Sequence, residues 1–490
     1  MNQLAKKTAT GAVINISVIF TKNIGQFLIV FPILARILTP EEFGLIAMAM
    51  TLVAFLTMFN DLGISAALVR AETASSAFWS SAFWLNLGFG AAMAITSYLS
   101  APLVAALFGE PQVIVLIEVM SCMLLLHCSF LVPMAWLQRN YKFRTIAVID
   151  LVAILSSSAV AIYMAVAGYG VWALAWQQIV LYAVKAVMGL LAHKAPIRLT
   201  FEWAPIKAVL PFSLSLTGTG FVSFLNRNID NVLIGRYLGA DALGYYSRAY
   251  QLMMMPVSTL SGGLSFAMYP AMAEVQSDTS QLRAAYLKAV SLLSAIVLPA
   301  MTGIAIVAVP FVDLLFGSQW GPVAPLLMVL AFVGLIQSVI AAANDLWKAR
   351  GRSGVLLRWS IIRAFGFAIA FSIGIYIGNL QAMATAYLIA NLIFLVPFQF
   401  EVFKELEMSA AIWLQELLPQ FVSTLIMAGG LLLVKASFPE IQTLASPVQL
   451  LVLVPIGMAA YGLALLAFFR SFLRTIVSDV RALRSKNATA

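Results

Sequence analysis

The chain has 490 residues, of which 62% are hydrophobic and only 10% charged, with a mean hydropathy of +0.96. Soluble domains carry ~25% charged residues, so composition excludes an ordinary water-soluble globule and places the chain in a bilayer. The net charge of +9 then reports membrane topology and contact with anionic inner-leaflet lipid, not nucleic-acid binding.

Apolar runs bounded by charge or by Gly/Pro clusters predict fourteen transmembrane helices, over 13–38, 43–67, 78–106, 113–136, 146–167, 170–192, 206–236, 246–273, 288–309, 324–345, 360–378, 382–400, 414–434 and 447–469. Runs this long match helices, because barrel strands alternate in polarity over ~10 residues. The fold class is therefore an all-α polytopic membrane protein. The basic, then apolar, N-terminus continues to Leu38 without a small-residue cleavage pattern, so it is expected to be a retained first span. With the N-terminus inside, most of the 29 Lys and Arg residues fall on the inner side, which predicts both termini inside. The tail after Arg470 places Phe472, Ile476, Val480 and Leu483 on one face and reads as an amphipathic helix on the inner interface. Cys122 and Cys128 share one run, about 240° apart around a helix axis, so neither a disulfide nor a metal pair is expected.

One segment recurs. "ARILTPEEFG" begins at Ala35 and "GRYLGADALG" at Gly235, and the same offset pairs Arg36 with Arg236, Leu38 with Leu238, Gly44 with Gly244, Ala49 with Ala249 and Leu52 with Leu252. Six helices separate the copies, an even number, so the repeats are parallel and related by an axis along the membrane normal. This organises the chain as a six-helix lobe over 1–200, a second over 201–405, and two additional helices with an amphipathic tail over 406–490. Within the first copy Thr39 reads as an N-cap, Pro40 as the first helical residue and Glu41 as a first-turn acid, with Asp241 supplying the acid in the second copy.

Charges inside spans are costly, roughly 2.5–3.5 kcal/mol near a helix centre, so each is a functional candidate. Lys22 lies roughly 21 Å along its helix from Arg36, too deep to snorkel outward; a buried lysine needs an anion, from the protein or from a substrate. Asn23 adjoins it. Arg227 sits in the polar cluster "NRNIDN" with Asn226, and Asp230, one turn on, is placed to pair with it, so structural pairing and substrate contact stay equally open. Arg248 is a further cation, near the outer mouth. Asp150 is either a helix-start residue near Arg144 or a coupling carboxylate. Glu118 and His127 are half a turn out of phase and do not form a direct relay. No P-loop is present, and neither His127 nor His193 has ligand-like partners, so no cofactor and no metal site is expected. The residues outline a wet, cationic cavity between two parallel halves, able to open to either side.

"NIDNVLIGRYLGADALGYYSRAYQL" resembles the corresponding segment of the polysaccharide-transport branch of the multidrug/oligosaccharidyl-lipid/polysaccharide exporter superfamily, the Wzx-type repeat-unit flippases. "ARILTPEEFG", "LQRNYKFRTIAVID", "GYGVWALAWQQ" and "FGSQWGPVAPLL" are similar to that family too. The resemblance implies a MATE-like fold of two six-helix lobes plus two extra helices, and an undecaprenyl-diphosphate-linked oligosaccharide as substrate. It also implies a polysaccharide polymerase or co-polymerase as the class of protein partner. Helix 1 contains Lys22 and no acid between Ile14 and Leu38, which suits a diphosphate and not a cationic drug. A cation or drug antiporter and a non-transporting scaffold of a glycan assembly complex are the alternative functions.

Overall fold

The computed structural model describes residue 25 and residues 29–59, 64–70 and 75–470, excepting the side chains of 66, 67, 70, 204–206, 208–223, 225–227 and 267. The expected amphipathic tail lies outside them. The described residues are helical throughout their regular structure: α1 (Phe31–Ile37), α2 (Pro40–Thr57), α3 (Ile64–Arg70), α4 (Ser76–Phe108), α5 (Gln112–Met120), α6 (Cys122–Arg139), α7 (Phe143–Val166) and α8 (Trp172–Ala192). They continue with α9 (Trp203–Glu274), α10 (Thr279–Ile306), α11 (Ala308–Phe316), α12 (Val323–Ala349), α13 (Ser353–Tyr376), α14 (Leu380–Glu405), α15 (Ala410–Ser437) and α16 (Ser446–Phe468). Among the described residues, 11 helical stretches are long and apolar enough to cross a membrane, with α5 and α6 counted as one across Ser121.

α9 adds a pair of legs. Its 72 residues would span roughly 108 Å if straight, against a hydrocarbon core of ~30 Å. The helix breaks at Gly239, where φ is 85° and ψ −178°, a conformation open to glycine and strained for other residues. The nine-residue link expected between 236 and 246 is therefore helix on both sides of a single-residue break. The first copy of the repeat turns differently. Thr39 accepts from Glu42 N while the Glu42 carboxylate accepts from Thr39 N at 2.7 Å, a full capping box with Pro40 as the first helical residue. Other edges differ from expectation as well. The second predicted span is divided into α2 and α3, and α10 begins at Thr279, because Asp278 caps it and its first turns need no lipid.

Packing divides the chain into two compact units, Met1–Gly244 and Tyr245–Ala490. In the first unit the two copies of the repeat meet, and they meet reciprocally. A methyl group on Gly44 would stand 1.8 Å from the carbonyl oxygen of Ala240, and one on Gly244 would stand 1.9 Å from that of Pro40. Residues 40 and 240, and 44 and 244, are the equivalent positions of the repeat, so the contact is reciprocal. Small residues are what allow backbones this close in a membrane protein.

The same unit is built with polar groups inward. α4 buries Ser80, Ser81, Asn86 and Ser97 and exposes Leu99 and Leu103, as expected where the surroundings are as apolar as the interior. Ser80 and Ser81 also accept hydrogen bonds from the backbone N–H groups of Arg198 at 2.9 Å and Glu202 at 2.7 Å, while Trp84 Nε1 donates to Arg198 O at 2.8 Å. The segment from α8 to α9 is thus strapped to α4.

In the second unit, Trp347, Trp359, Tyr286 and Phe398 form a buried aromatic core. α15 joins it through Gln420, whose amide donates to Ser291 Oγ of α10 at 2.9 Å. The "FGSQW" motif ends α11 at Gly317 and makes a short 3-10 turn that drives Trp320, fully buried, against Phe316 and Tyr245.

Candidate functional site

Lys22 and Asn23 lie outside the described residues. Asn226 and Arg227 occupy the helical backbone of the first leg of α9, and their side chains lie outside the described set. Their neighbour Asp230 is buried, with 5% of its surface exposed. Its Oδ1 accepts from the Asn231 backbone N–H at 2.8 Å, and Asn228 Nδ2 donates to Phe224 O at 3.0 Å. A carboxylate taken from solvent at this depth must be held by such donors or by charge. Arg248 sits on the second leg, one turn after Gly244, and its Nε and one Nη are shut off from solvent. Asp230 belongs to the first unit and Arg248 to the second.

The structure gives Asp150 a partner that the sequence did not assign. Lys185 Nζ of α8 lies 2.7 Å from Asp150 Oδ1 of α7, with both side chains 16% exposed. The ammonium is also 5.9 Å from the centroid of the Phe130 ring. This pair neutralises two charges inside adjacent spans. Beside it, His127 makes an edge contact with Tyr182.

Sequence reasoning missed Asp345. A span ending at 345 is what the apolar run suggests, whereas α12 runs on to Ala349 and encloses that carboxylate. Asp345 Oδ2 accepts from Ser265 Oγ, and Lys348 Nζ donates to Oδ1 at 3.0 Å. The available signal was Lys348 three residues after an acid at the end of an apolar run. Near the same end of the second unit, Glu405 holds Arg350 Nε at 3.1 Å and Arg352 Nη1 at 2.7 Å, and Glu401 binds Arg358 and Trp359 Nε1. Three arginines of the α12–α13 region are thus tied to two carboxylates one turn apart on α14.

Eleven helical stretches long and apolar enough to cross a bilayer among the described residues, with an ion pair enclosed between two of them, define a polytopic membrane protein. The fold agrees. The chain is similar to the structure of the lipid II flippase MurJ in an inward closed conformation (TM-score 0.74, 15% identity, 96% of this chain and 100% of that one). It is also similar to an inward-facing multidrug resistance MATE family transporter of the MOP superfamily (TM-score 0.62, 16% identity, 81% and 100%).

The particular family follows from sequence. The model of a family described as "Polysaccharide biosynthesis protein" matches residues 33–325, and the chain belongs to that family. Among curated proteins it is 29% identical over 477 residues, 96% of this chain and 95% of the other, to the succinoglycan biosynthesis transport protein ExoT of Rhizobium meliloti. It is 28% identical to the lipopolysaccharide biosynthesis protein WzxC of Escherichia coli, over 80% of each chain. The teichuronic acid biosynthesis protein TuaB of Bacillus subtilis is 24% identical over 74% of this chain and 76% of its own.

Proposed function

We propose that the protein is a flippase of the bacterial inner membrane. It moves undecaprenyl-diphosphate-linked oligosaccharide repeat units from the inner to the outer leaflet for exopolysaccharide or lipopolysaccharide assembly. The observation that carries this function is end-to-end similarity to a succinoglycan transport protein of matching extent. The MurJ-like fold supports it. Physically, such a protein must keep a charged, hydroxyl-rich headgroup from hydrocarbon, where its unpaired polar groups would cost several kcal/mol each, while the lipid tail stays in the bilayer.

In this proposal Lys22, Arg227 and Arg248 supply the cations that face the diphosphate, and Asn23, Asn226 and Asp230 orient them or receive sugar hydroxyls. Asp150 serves its own ion pair with Lys185. The lobes over 1–200 and 201–405 rock about a wet chamber, and residues 406–490 flank it. A polysaccharide polymerase or co-polymerase is the class of partner that would take the delivered unit.

Reconstitution into vesicles with polyprenyl-linked glycans, scored by appearance of glycan on the opposite leaflet, tests the function. Absence of protein-dependent movement across a panel of such glycans refutes it. Lys22→Ala and Arg227→Ala, made separately, are expected to lower surface polysaccharide, and normal export by both removes the site assignment.

A further inference from the structure

The turn within "LQRNYKFRTIAVID" has a twin in the second unit, and the two are finished differently. After α6, the Tyr141 N–H donates to Gln138 O at 3.0 Å and the Lys142 N–H to Leu137 O at 2.9 Å. After α12, 210 residues further along the chain, the Gly351 N–H donates to Lys348 O at 3.0 Å and the Arg352 N–H to Trp347 O at 2.9 Å. This is the same helix ending, and its left-handed position is filled by Gly351 (φ 70°) in one unit and by Tyr141 (φ 54°) in the other. Glycine is at ease there and tyrosine is strained, so a use for the aromatic side chain has to offset the strain.

The charges around the two turns are balanced differently as well. In the second unit Glu405 holds Arg350 and Arg352, and Glu401 holds Arg358. At the same offset the first unit has Leu191 and Ala195 in place of the two acids, and no Asp or Glu occurs from Trp172 to Thr200. Yet Arg139, Lys142 and Arg144 crowd its turn within six residues. Lys142 Nζ lies 4.7 Å from the centroid of the Trp136 ring, and Arg139 Nη1 donates to Leu68 O at 2.7 Å, both neutral groups. Among the described residues neither Lys142 nor Arg144 meets a carboxylate. Beside these cations lies a cavity of about 340 Å³ between the ends of α3, α6 and α7, in the lower part of the ~300–1,000 Å³ range of small-ligand sites. Its polar lining is Gln138, Arg139 and the half-exposed Tyr141, and its apolar lining includes Val69, Phe143 and Ile146.

We propose that this cavity binds the phosphate head of an anionic phospholipid from the inner leaflet, the side to which the distribution of basic residues assigns the turn. The phosphodiester accepts hydrogen bonds from Arg139, Gln138 and the Tyr141 phenol, while Lys142 and Arg144 add positive potential. The first methylenes of the acyl chains lie along Val69, Phe143 and Ile146. Basic pockets between spanning helices at the cytoplasmic surface take lipid headgroups in this way. The charge balance selects bulk lipid over the transported glycan. A counter-ion that stands in for Glu405 has to be present in every state of a transport cycle, and leaflet lipid is, whereas a transported glycolipid leaves. The site therefore stands independently of the transport function.

The test is native mass spectrometry of the full-length protein, released from neutral detergent with phosphatidylglycerol, phosphatidylcholine or a polyprenyl diphosphate as the probe. The wild type is expected to retain one phosphatidylglycerol in preference to phosphatidylcholine. Lys142→Gln with Arg144→Gln is expected to weaken that retention roughly 30-fold, from ~1 kcal/mol for each charge near the surface. Tyr141→Gly relieves the strained turn and so keeps the fold. It is expected to raise the melting temperature of the lipid-free protein and to weaken retention roughly 2–10-fold, the worth of one hydrogen bond. Unchanged retention in both variants overturns the proposal, as does retention that ignores the headgroup. Should the charge variant fail to fold, unchanged retention in Tyr141→Gly alone overturns it. A polyprenyl diphosphate that displaces the phosphatidylglycerol, and whose own retention falls in the same two variants, makes the cavity a substrate subsite and overturns the phospholipid assignment. Displacement by millimolar inorganic phosphate overturns it too, since the acyl chains would then play no part.

Discussion

Replacing Gly44 or Gly244 by alanine tests the reciprocal contact between the two copies of the repeat. Each new methyl would lie 1.8 or 1.9 Å from a backbone carbonyl oxygen. Ordinary contact begins near 3.4 Å, so one backbone must retreat by roughly 1.5 Å, where inserting even a methylene into a well-packed site costs typically 1–3 kcal/mol. Backbone on one side and a capped helix start on the other give little room to relax, so the upper part of that range is expected for each variant. Because both methyls push the same two helix starts apart, the second should cost less once the first is present, and the double variant should fall short of the sum. Gly88→Ala on α4 is the control, since nothing lies within 4 Å of its new methyl and helix propensity favours alanine by about 1 kcal/mol. Thermal unfolding in detergent or nanodiscs reads the series. If Gly44→Ala and Gly244→Ala melt with Gly88→Ala, the close approach does not exist in the molecule.

Four further outcomes are expected. Asp150→Ala strands the Lys185 ammonium and should cost about 1–3 kcal/mol, below the range for a fully buried pair because both partners keep 16% exposure; Asp150→Ala with Lys185→Met should recover most of it in a double-mutant cycle. Ser80→Ala combined with Trp84→Phe removes hydrogen bonds from Arg198 and should speed proteolysis between residues 194 and 202. Backbone N–H and side-chain amide donation from Gln281, then the Ser280 N–H, hold the Asp278 carboxyl below its ordinary value of 3.8. Its folded-state value is depressed, so its capping contribution is present above pH 3.8 and is lost as pH falls through the lower folded value. Exchange of the Ser280 and Gln281 amides should rise there in the wild type and stay flat in Asp278→Asn. Glu405→Gln discharges the partner of Arg350 and Arg352 and should lower the melting temperature more at low than at high salt, as screening requires.

The span pattern was legible because lipid imposes length and apolarity on each helix, and the repeat was legible because its glycines are chemically required. Which faces meet was not. In water an apolar stripe marks the inward side of a helix, but α4 turns Leu99 and Leu103 outward and Ser80, Ser81 and Asn86 inward, so hydrophobicity carries no such mark here. For the same reason Lys185 could be placed inside a span but not against Asp150, which lies on a neighbouring helix. Asp345 escaped notice because an acid at the edge of an apolar run reads as the end of a span, and only the continued helix to Ala349 shows it enclosed. Gly239 reads in sequence as part of a polar link because a one-residue break leaves the same composition as a short loop.

The two helix junctions of the repeat take only Leu38 and Thr39 in the first copy and Gly239 alone in the second. That end of the first unit therefore offers no slack to a protease, an antibody or an inserted epitope, since anything lodged there would have to prise Gly44 from Ala240. The stretch from Phe438 to Ala445, largely exposed and held by a 3-10 turn, is the better foothold for a reporter intended to leave the helices undisturbed.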